Sequence, residues 1–202
     1  MKTMKTEVGF EMKGITPLRT HSAALVDPMD LYAREVKLLQ KKRTKTEGDD
    51  EQVAFLEARG GMYVEDIDGV KTIVAPTRNI KAMLRDAGKA RRLGTAIEDV
   101  LQVVETDFTF SGPTDPDERA RTPEYRDRRV VSANPGGRTN TKTIRTRPVF
   151  HDWKIVGKLV FANGKFNADE LYEVMELAGI SGCFERFDGY GQFEVSRWEV
   201  VS

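Results

Sequence analysis

The chain has 202 residues, 39% hydrophobic and 32% charged, with 32 Lys and Arg balanced by 32 Asp and Glu. That composition fits a globular protein with a real core. With Cys183 as the only cysteine and two distant histidines, His21 and His151, it excludes an internal disulfide and a thiolate zinc cluster. No metal and no cofactor is expected. No run reaches the ~18 apolar residues of a membrane helix, and the basic start lacks the apolar stretch of a signal peptide, so the expected location is cytoplasmic. Cys183 reads as a small buried hydrophobe rather than a nucleophile.

In chain order, Thr6 to Ile15 predicts a first strand ending at Pro17. Asp30 is an N-cap for a short helix over Leu31 to Gln40. Lys41 to Gln52 is charged and reads as a loop. Met62 to Val64 and Lys71 to Val74 flank Asp68-Gly69, a hairpin signal. Ile80, Met83, Leu84 and Ala87 recur at i, i+3, i+4 and i+7, one apolar stripe of a helix that starts near Pro76 and stops at Gly94. Val100 to Phe110 predicts a strand. Ser111 to Thr143 is long, polar and irregular, with Arg128 to Ser132 and Thr139 to Arg145 as two arms around a Pro-Gly-Gly turn. Val149 to Phe161 predicts a strand with Trp153, Ile155, Gly157, Leu159 and Phe161 on one face. After the Asn163-Gly164 turn, Asn167 caps a helix over Ala168 to Ala178, with Glu170 in the capping-box position and Gly179 as its stop. Gln192 to Val201 is the last strand.

These elements predict an α+β fold: a ferredoxin-like, RRM-like split βαβ with an antiparallel sheet and a long hairpin-like insertion. The expected organisation is one RRM-like domain over 1–202. It carries a peripheral helix and hairpin at 31–74 and an extended basic, thumb-like insertion at 111–147.

Zero net charge hides a segregation. Arg78, Lys81, Arg85 and Lys89 fall on a face of the first amphipathic helix away from its apolar stripe. Arg138, Lys142, Arg145 and Arg147 belong to a second block without an acid. Local basic stripes on a neutral protein suit a defined polyanion track. Gly189-Tyr190-Gly191 adds a turn whose backbone N–H groups can reach phosphate and a ring on which a base can stack.

The register of Pro76, Ile80, Lys81, Leu84 and Arg85 resembles the Pro-Gly-Ser-Ser-(apolar)-Lys-Gly-(small)-Leu-Arg motif of the RAMP superfamily of CRISPR-associated proteins. Thr77, Arg78, Asn79 and Ala82 replace its glycines and serines. Gly179, Gly182, Gly189 and Gly191 resemble the superfamily's glycine-rich loop, and Gly14-Ile15-Thr16-Pro17-Leu18 the end of its first strand. The resemblance implies a crRNA-backbone-like subunit, or a phage- or prophage-encoded relative. Such a subunit would coat single-stranded nucleic acid, RNA ahead of DNA, by head-to-tail self-association, with other ribonucleoprotein subunits as partners. Two alternatives stand beside it. One is a metal-independent endoribonuclease, for which His21, Asp27 and Asp30 are the weak catalytic candidates. The other is a phage structural or assembly protein that binds no nucleic acid.

Overall fold

The computed structural model describes residues 5–132, 142–182, 184 and 189–201. In chain order its elements are strands β1 (Lys5–Gly14) and β2 (Leu18–Arg19), helices α1 (Leu31–Gln40) and α2 (Glu47–Gly60), and strands β3 (Val64–Ile67) and β4 (Val70–Ile73). Helices α3 (Thr77–Gly88) and α4 (Gly94–Val100) follow, then β5 (Leu101–Thr109), α5 (Pro116–Arg121), β6 (Arg126–Ser132) and β7 (Lys142–Phe150). The chain closes with β8 (Lys154–Ala162), α6 (Ala168–Ile180) and β9 (Phe193–Val200). Where the sequence suggests one domain, these elements form two compact units. The first comprises Met1–Arg19, Val74–Ser111 and Phe150–Ser202; the second comprises Thr20–Ile73 and Gly112–Val149.

The first unit has the expected ferredoxin-like plan. Its four-stranded sheet has the order β5-β8-β1-β9, and every neighbouring pair is antiparallel. The register Val8↔Leu159, Phe10↔Gly157, Met12↔Ile155 sets the apolar positions of two central strands on one face. Val8, Phe10, Met12, Ile155 and Leu159 are fully buried there. Each such side chain contributes about 1.5–3 kcal/mol on leaving water. Helices α3 and α6 cover this face, burying Ile80, Met83, Leu84 and Ala87 from one and Leu171, Val174, Met175 and Ala178 from the other. Asn167 and Glu170 form the expected capping box on α6.

Three boundaries differ from expectation. The first amphipathic helix ends at Gly88, and a 3-10 turn over Lys89–Arg91 follows. Gly94 opens α4 instead of ending α3, because a Cβ there would lie 2.9 Å from the Arg85 carbonyl oxygen; its absence lets the two helices close. The strand expected over Val149 to Phe161 is two strands, broken where Asp152 adopts φ 46°. Gly179 lies inside α6 rather than after it, since the helix runs on to Ile180.

The second unit has its own core, which is why the two insertions do not behave as loops on one domain. Met62, Ile73, Ala33 and Val36 are buried within it. The stretch read as a charged loop is the front of α2. Thr46 caps it, in a capping box with Asp49, and Ala54 through Gly60 are all buried. The β3–β4 hairpin turns on Asp68 (φ 53°) and Gly69 (φ 81°), the left-handed pair a two-residue turn needs. The Ser111 to Thr143 stretch, expected to be irregular, holds α5 and then β6, paired antiparallel with β7 from Arg126↔Pro148 to Ser132↔Lys142. The two arms expected there, Arg128 to Ser132 and Thr139 to Arg145, fall on these strands as far as the described residues reach. Arg119 on α5 is fully buried. Its guanidinium donates to the carbonyls of Pro113 (3.0 Å) and Val149 (2.8 Å) and lies 4.4 Å from the centre of the Tyr125 ring. Burial pulls this guanidinium down to about 10. No described helix is long and apolar enough to cross a membrane.

Candidate nucleic-acid interface

Helix α3 starts at Thr77. Its N-cap is Pro76, in extended conformation (ψ 135°), and no side chain caps the first turn. A helix start without a side-chain cap presents backbone N–H groups and the positive end of the dipole. The cations that follow are partly fastened. Lys81 donates through Nζ to the Glu98 carbonyl (2.8 Å). Arg85 meets the carboxylates of Asp86 (3.4 Å) and Glu98 (3.7 Å), and Lys89, on the 3-10 turn, pairs with Asp86 (2.7 Å). The expected cationic row is therefore interleaved with acids toward its C-terminal end. At its front, Thr77, Arg78 and Lys81 line a shallow groove of about 390 Å³ with Leu101 to Val104 of β5.

The face of the sheet opposite the helices has a different chemistry from the stacking platform of an RRM, where aromatic side chains hold bases. Lys158 pairs with Glu7 (3.0 Å) and Glu105 (3.6 Å), Lys154 with Glu11 (3.6 Å), and Lys13 with Glu194 (3.6 Å). Ser196 donates to Glu11 (2.8 Å). The aromatic residues of these strands pair into the opposite face, as Phe10↔Trp198 and Phe108↔Ile155 show. A strand of nucleic acid would meet carboxylates here rather than rings.

The glycine-rich turn is largely used by the fold itself. Gly191 (φ 70°) donates its N–H to the Pro17 carbonyl (3.0 Å), and a Cβ there would strike the Phe184 carbonyl oxygen. Gly189 (φ 76°) has open space around it. Tyr190 is half-buried, with the Arg19 guanidinium 4.5 Å from its ring centre. The ring face toward Arg19 is thus taken up by the guanidinium.

In the second unit, three sequence candidates meet. His21, Arg145 and Arg147 line one cleft of about 540 Å³. Arg145 and Arg147 share a strand face by the two-residue period of β7. Glu57, buried on α2, accepts from Arg145 Nη1 (2.6 Å) and from the backbone N–H of Thr146 (2.8 Å). Desolvation lowers the His21 pKa below the ordinary imidazole value, with Arg147 and then Arg145 adding to the effect; the ring is neutral at pH 7. Asp27 and Asp30 are not at this cleft. Asp27 accepts the Met29 N–H (2.8 Å), and Asp30 caps α1 through the Ala33 N–H (3.0 Å), so both have structural duties. Lys142 is the exposed first residue of β7. Arg138 and Cys183 lie outside the described residues. Sequence reasoning missed Lys37 and Glu57 in the cleft; a helix-face pairing of Lys37 with Ala33 and Val36 is the signal that marks the former. Among the described residues, no three His, Cys, Asp or Glu side chains are grouped to hold a metal ion.

The fold and these sites define an α+β, ferredoxin-like protein with a second unit built from two insertions. No family model matches the chain, and no curated protein matches it. Among solved structures, it is similar to a chain in the cryo-EM structure of the Type III-B Cmr-beta bound to cognate target RNA. The TM-score is 0.54 at 15% sequence identity, and the match covers 97% of this chain and 60% of that one. The likeness is one of fold, and it agrees with the ferredoxin-like architecture expected from the order of the elements.

Proposed function

We propose that this chain is an RNA-binding subunit of a CRISPR-effector-like ribonucleoprotein, gripping a single strand through its phosphates without reading its sequence. The observation that carries this reading is the groove at the start of α3. Arg78, Lys81 and a helix start without a side-chain cap border one groove, on a fold similar to a chain of an RNA-bound complex. Backbone N–H groups and cations at a helix start suit phosphate, whereas Arg85 and Lys89 are offset by Asp86 and Glu98 and add little to the field there. The ion-paired sheet face disfavours base stacking across the sheet, so contact with the strand is mainly electrostatic. RNA is the favoured strand, with DNA the competitor to be measured.

The experiment is a titration with labelled single-stranded RNA and DNA at two salt concentrations. Each phosphate contact adds ~0.7 to the log–log salt slope for a single strand. The double variant Arg78→Ala/Lys81→Ala should weaken all sequences alike and flatten the slope by about one to two such contacts. Unchanged affinity in that variant removes α3 from the site.

Self-association is the second part of the proposal. The β6–β7 hairpin presents Val130 and Ile144, a cross-strand pair with exposures of 67% and 46%. An exposed apolar pair on two joined strands favours docking on another copy. A contact between unlike surfaces, repeated, builds an open head-to-tail array rather than a closed dimer. A strand lying along such an array would present phosphates to every copy.

A further inference from the structure

The cleft of the second unit has two unlike walls. On one side Leu25, Val26, Ala33 and Val36 form an apolar surface, faced by Val131 of β6. On the other, Arg145 and Arg147 rise from β7, with Lys37 and His21 at the margin. The volume of about 540 Å³ lies within the range of small-ligand pockets and exceeds what a bare phosphate or a single sugar needs.

The charges set the ligand's sign. Glu57 is buried and already accepts two hydrogen bonds, one of them from Arg145. Its role is to hold that arginine at the wall rather than to meet a ligand. Asp127 stands across the strand from Arg147 and also takes Arg129 Nε at 2.8 Å. Among the residues lining the cleft, Lys37, Arg145 and Arg147 stand against the single acid Glu57, so the balance is positive even with Asp127 beside Arg147. A ligand suited to this space has an anionic end and a flat or apolar body. A fatty acid would leave the polar lining of Gln40, Ser132 and Thr146 without partners. A base with ribose offers groups to those side chains and a flat face to the apolar wall.

We propose that this cleft binds a phosphorylated nucleoside, with its phosphate between Arg147 and Lys37 and its base against Val36 and Val131. The ligand is either a free mononucleotide or the phosphorylated end of a strand; the recognised chemistry is the same. His21, neutral at pH 7, offers one donor and one acceptor to the ribose or base edge. The assignment does not depend on the α3 groove, which lies on other elements.

The test is calorimetric titration of the full chain with AMP, UMP, adenosine and inorganic phosphate. RNA trinucleotides with a 5′-phosphate, a 3′-phosphate or neither complete the probes. AMP or UMP should bind at least about tenfold more tightly than adenosine or phosphate alone, the gain of joining a charged and a flat contact in one ligand. Arg147→Ala and, separately, Lys37→Ala on the exposed face of α1 should each weaken the nucleotide by about fivefold to tenfold. Thermal melting should confirm that both variants remain folded. A phosphorylated trinucleotide that equals or exceeds AMP identifies a strand end as the source; binding by AMP alone identifies a free nucleotide. The proposal is overturned if no phosphorylated probe binds at millimolar concentration. It is equally overturned if binding survives both substitutions unchanged. Variants at Arg78 and Lys81 separate the two sites, since they should leave AMP binding intact while reducing affinity for long RNA.

Discussion

Gly179→Ala tests the packing of the first unit most directly, because two physical effects oppose each other there. Inside a helix, alanine is favoured over glycine by about 0.5–1 kcal/mol. At this position of α6, however, a Cβ would land on the Phe193 carbonyl oxygen, with the carbonyl carbon and Phe193 Cδ2 each 3.2 Å away. Phe193 is 2% exposed and begins β9, paired with Gly14 of β1, so neither its ring nor its backbone has room to retreat. Overpacking of this kind costs about 1–3 kcal/mol, and a contact with backbone belongs at the upper end. The expected net effect is a loss of about 1–2 kcal/mol. Urea unfolding followed by tryptophan fluorescence reads it well. Both tryptophans, Trp153 and Trp198, belong to this unit, and the Trp153 ring is 6.1 Å from that of Phe193. Gly48→Ala, in α2 of the second unit and followed by far-ultraviolet circular dichroism, is the control: a Cβ there meets only Thr46 Oγ1 at 3.8 Å, and the expected result is neutral to slightly stabilising. A Gly179→Ala midpoint equal to or above that of the parent would refute the close helix–strand contact.

Glu57→Ala should destabilise the second unit by about 2–3 kcal/mol, mostly by leaving the buried Thr146 N–H without its acceptor. Arg145 is 42% exposed and adds little after solvent screening; Glu57→Gln, which keeps an acceptor, should recover part of the loss in a urea titration followed by circular dichroism, since the second unit has no tryptophan. His21 has a folded pKa below its unfolded value, so its neutral form is favoured by folding. Stability should be undiminished above about pH 6.5 and decline as pH falls below that value, where the unfolded chain takes the proton first. His21→Ala should remove part of that decline between pH 7.5 and 5.5, and an identical decline in both proteins would contradict the assignment. Val130→Glu/Ile144→Glu should abolish the proposed self-association in sedimentation velocity with a long single-stranded RNA present; assemblies of unchanged size would rule out this hairpin pair.

The elements legible in the sequence are those with one wet and one dry side. Helices α3 and α6 and strands β1 and β8 each bury a single face, so period 3.6 or period 2 stands out in their residues. Helix α2 was missed for the opposite reason. From Ala54 to Gly60 it is buried all round, and Glu57 and Arg59 inside that run look like surface residues. Their burial depends on partners far along the chain: Arg145 and Thr146 for one, Asp117 for the other. Periodicity cannot show a charge neutralised from elsewhere. The candidate sites divide the same way. Arg78 and Lys81 were legible as neighbours on one helix. The covering of Tyr190 by Arg19 and the meeting of His21 with Arg145 and Arg147 join distant segments, and no local pattern announces them. The acids that fasten Arg85 and Lys89 were visible in part, since Asp86 is near both, but Glu98 reaches Arg85 only because α4 folds back on α3.

The place of β1 at the middle of its sheet has a consequence for the order in which this protein is made. Both of its partners come from the other end of the chain: Lys5 to Lys13 pair with β8, and Val8 to Gly14 with β9. During synthesis, every residue of the second unit emerges from the ribosome before β8 does. The inserted unit can complete its core while the scaffold that carries it is still open. Meanwhile β1 waits with Val8, Phe10 and Met12 exposed and both edges unpaired, a state prone to pairing with other chains. Glu7, Glu11 and Lys13, which later hold ion pairs on the finished sheet, alternate with those apolar residues and act as gatekeepers during the delay. The charges that deny the sheet a stacking surface thus keep its central strand soluble until its partners arrive.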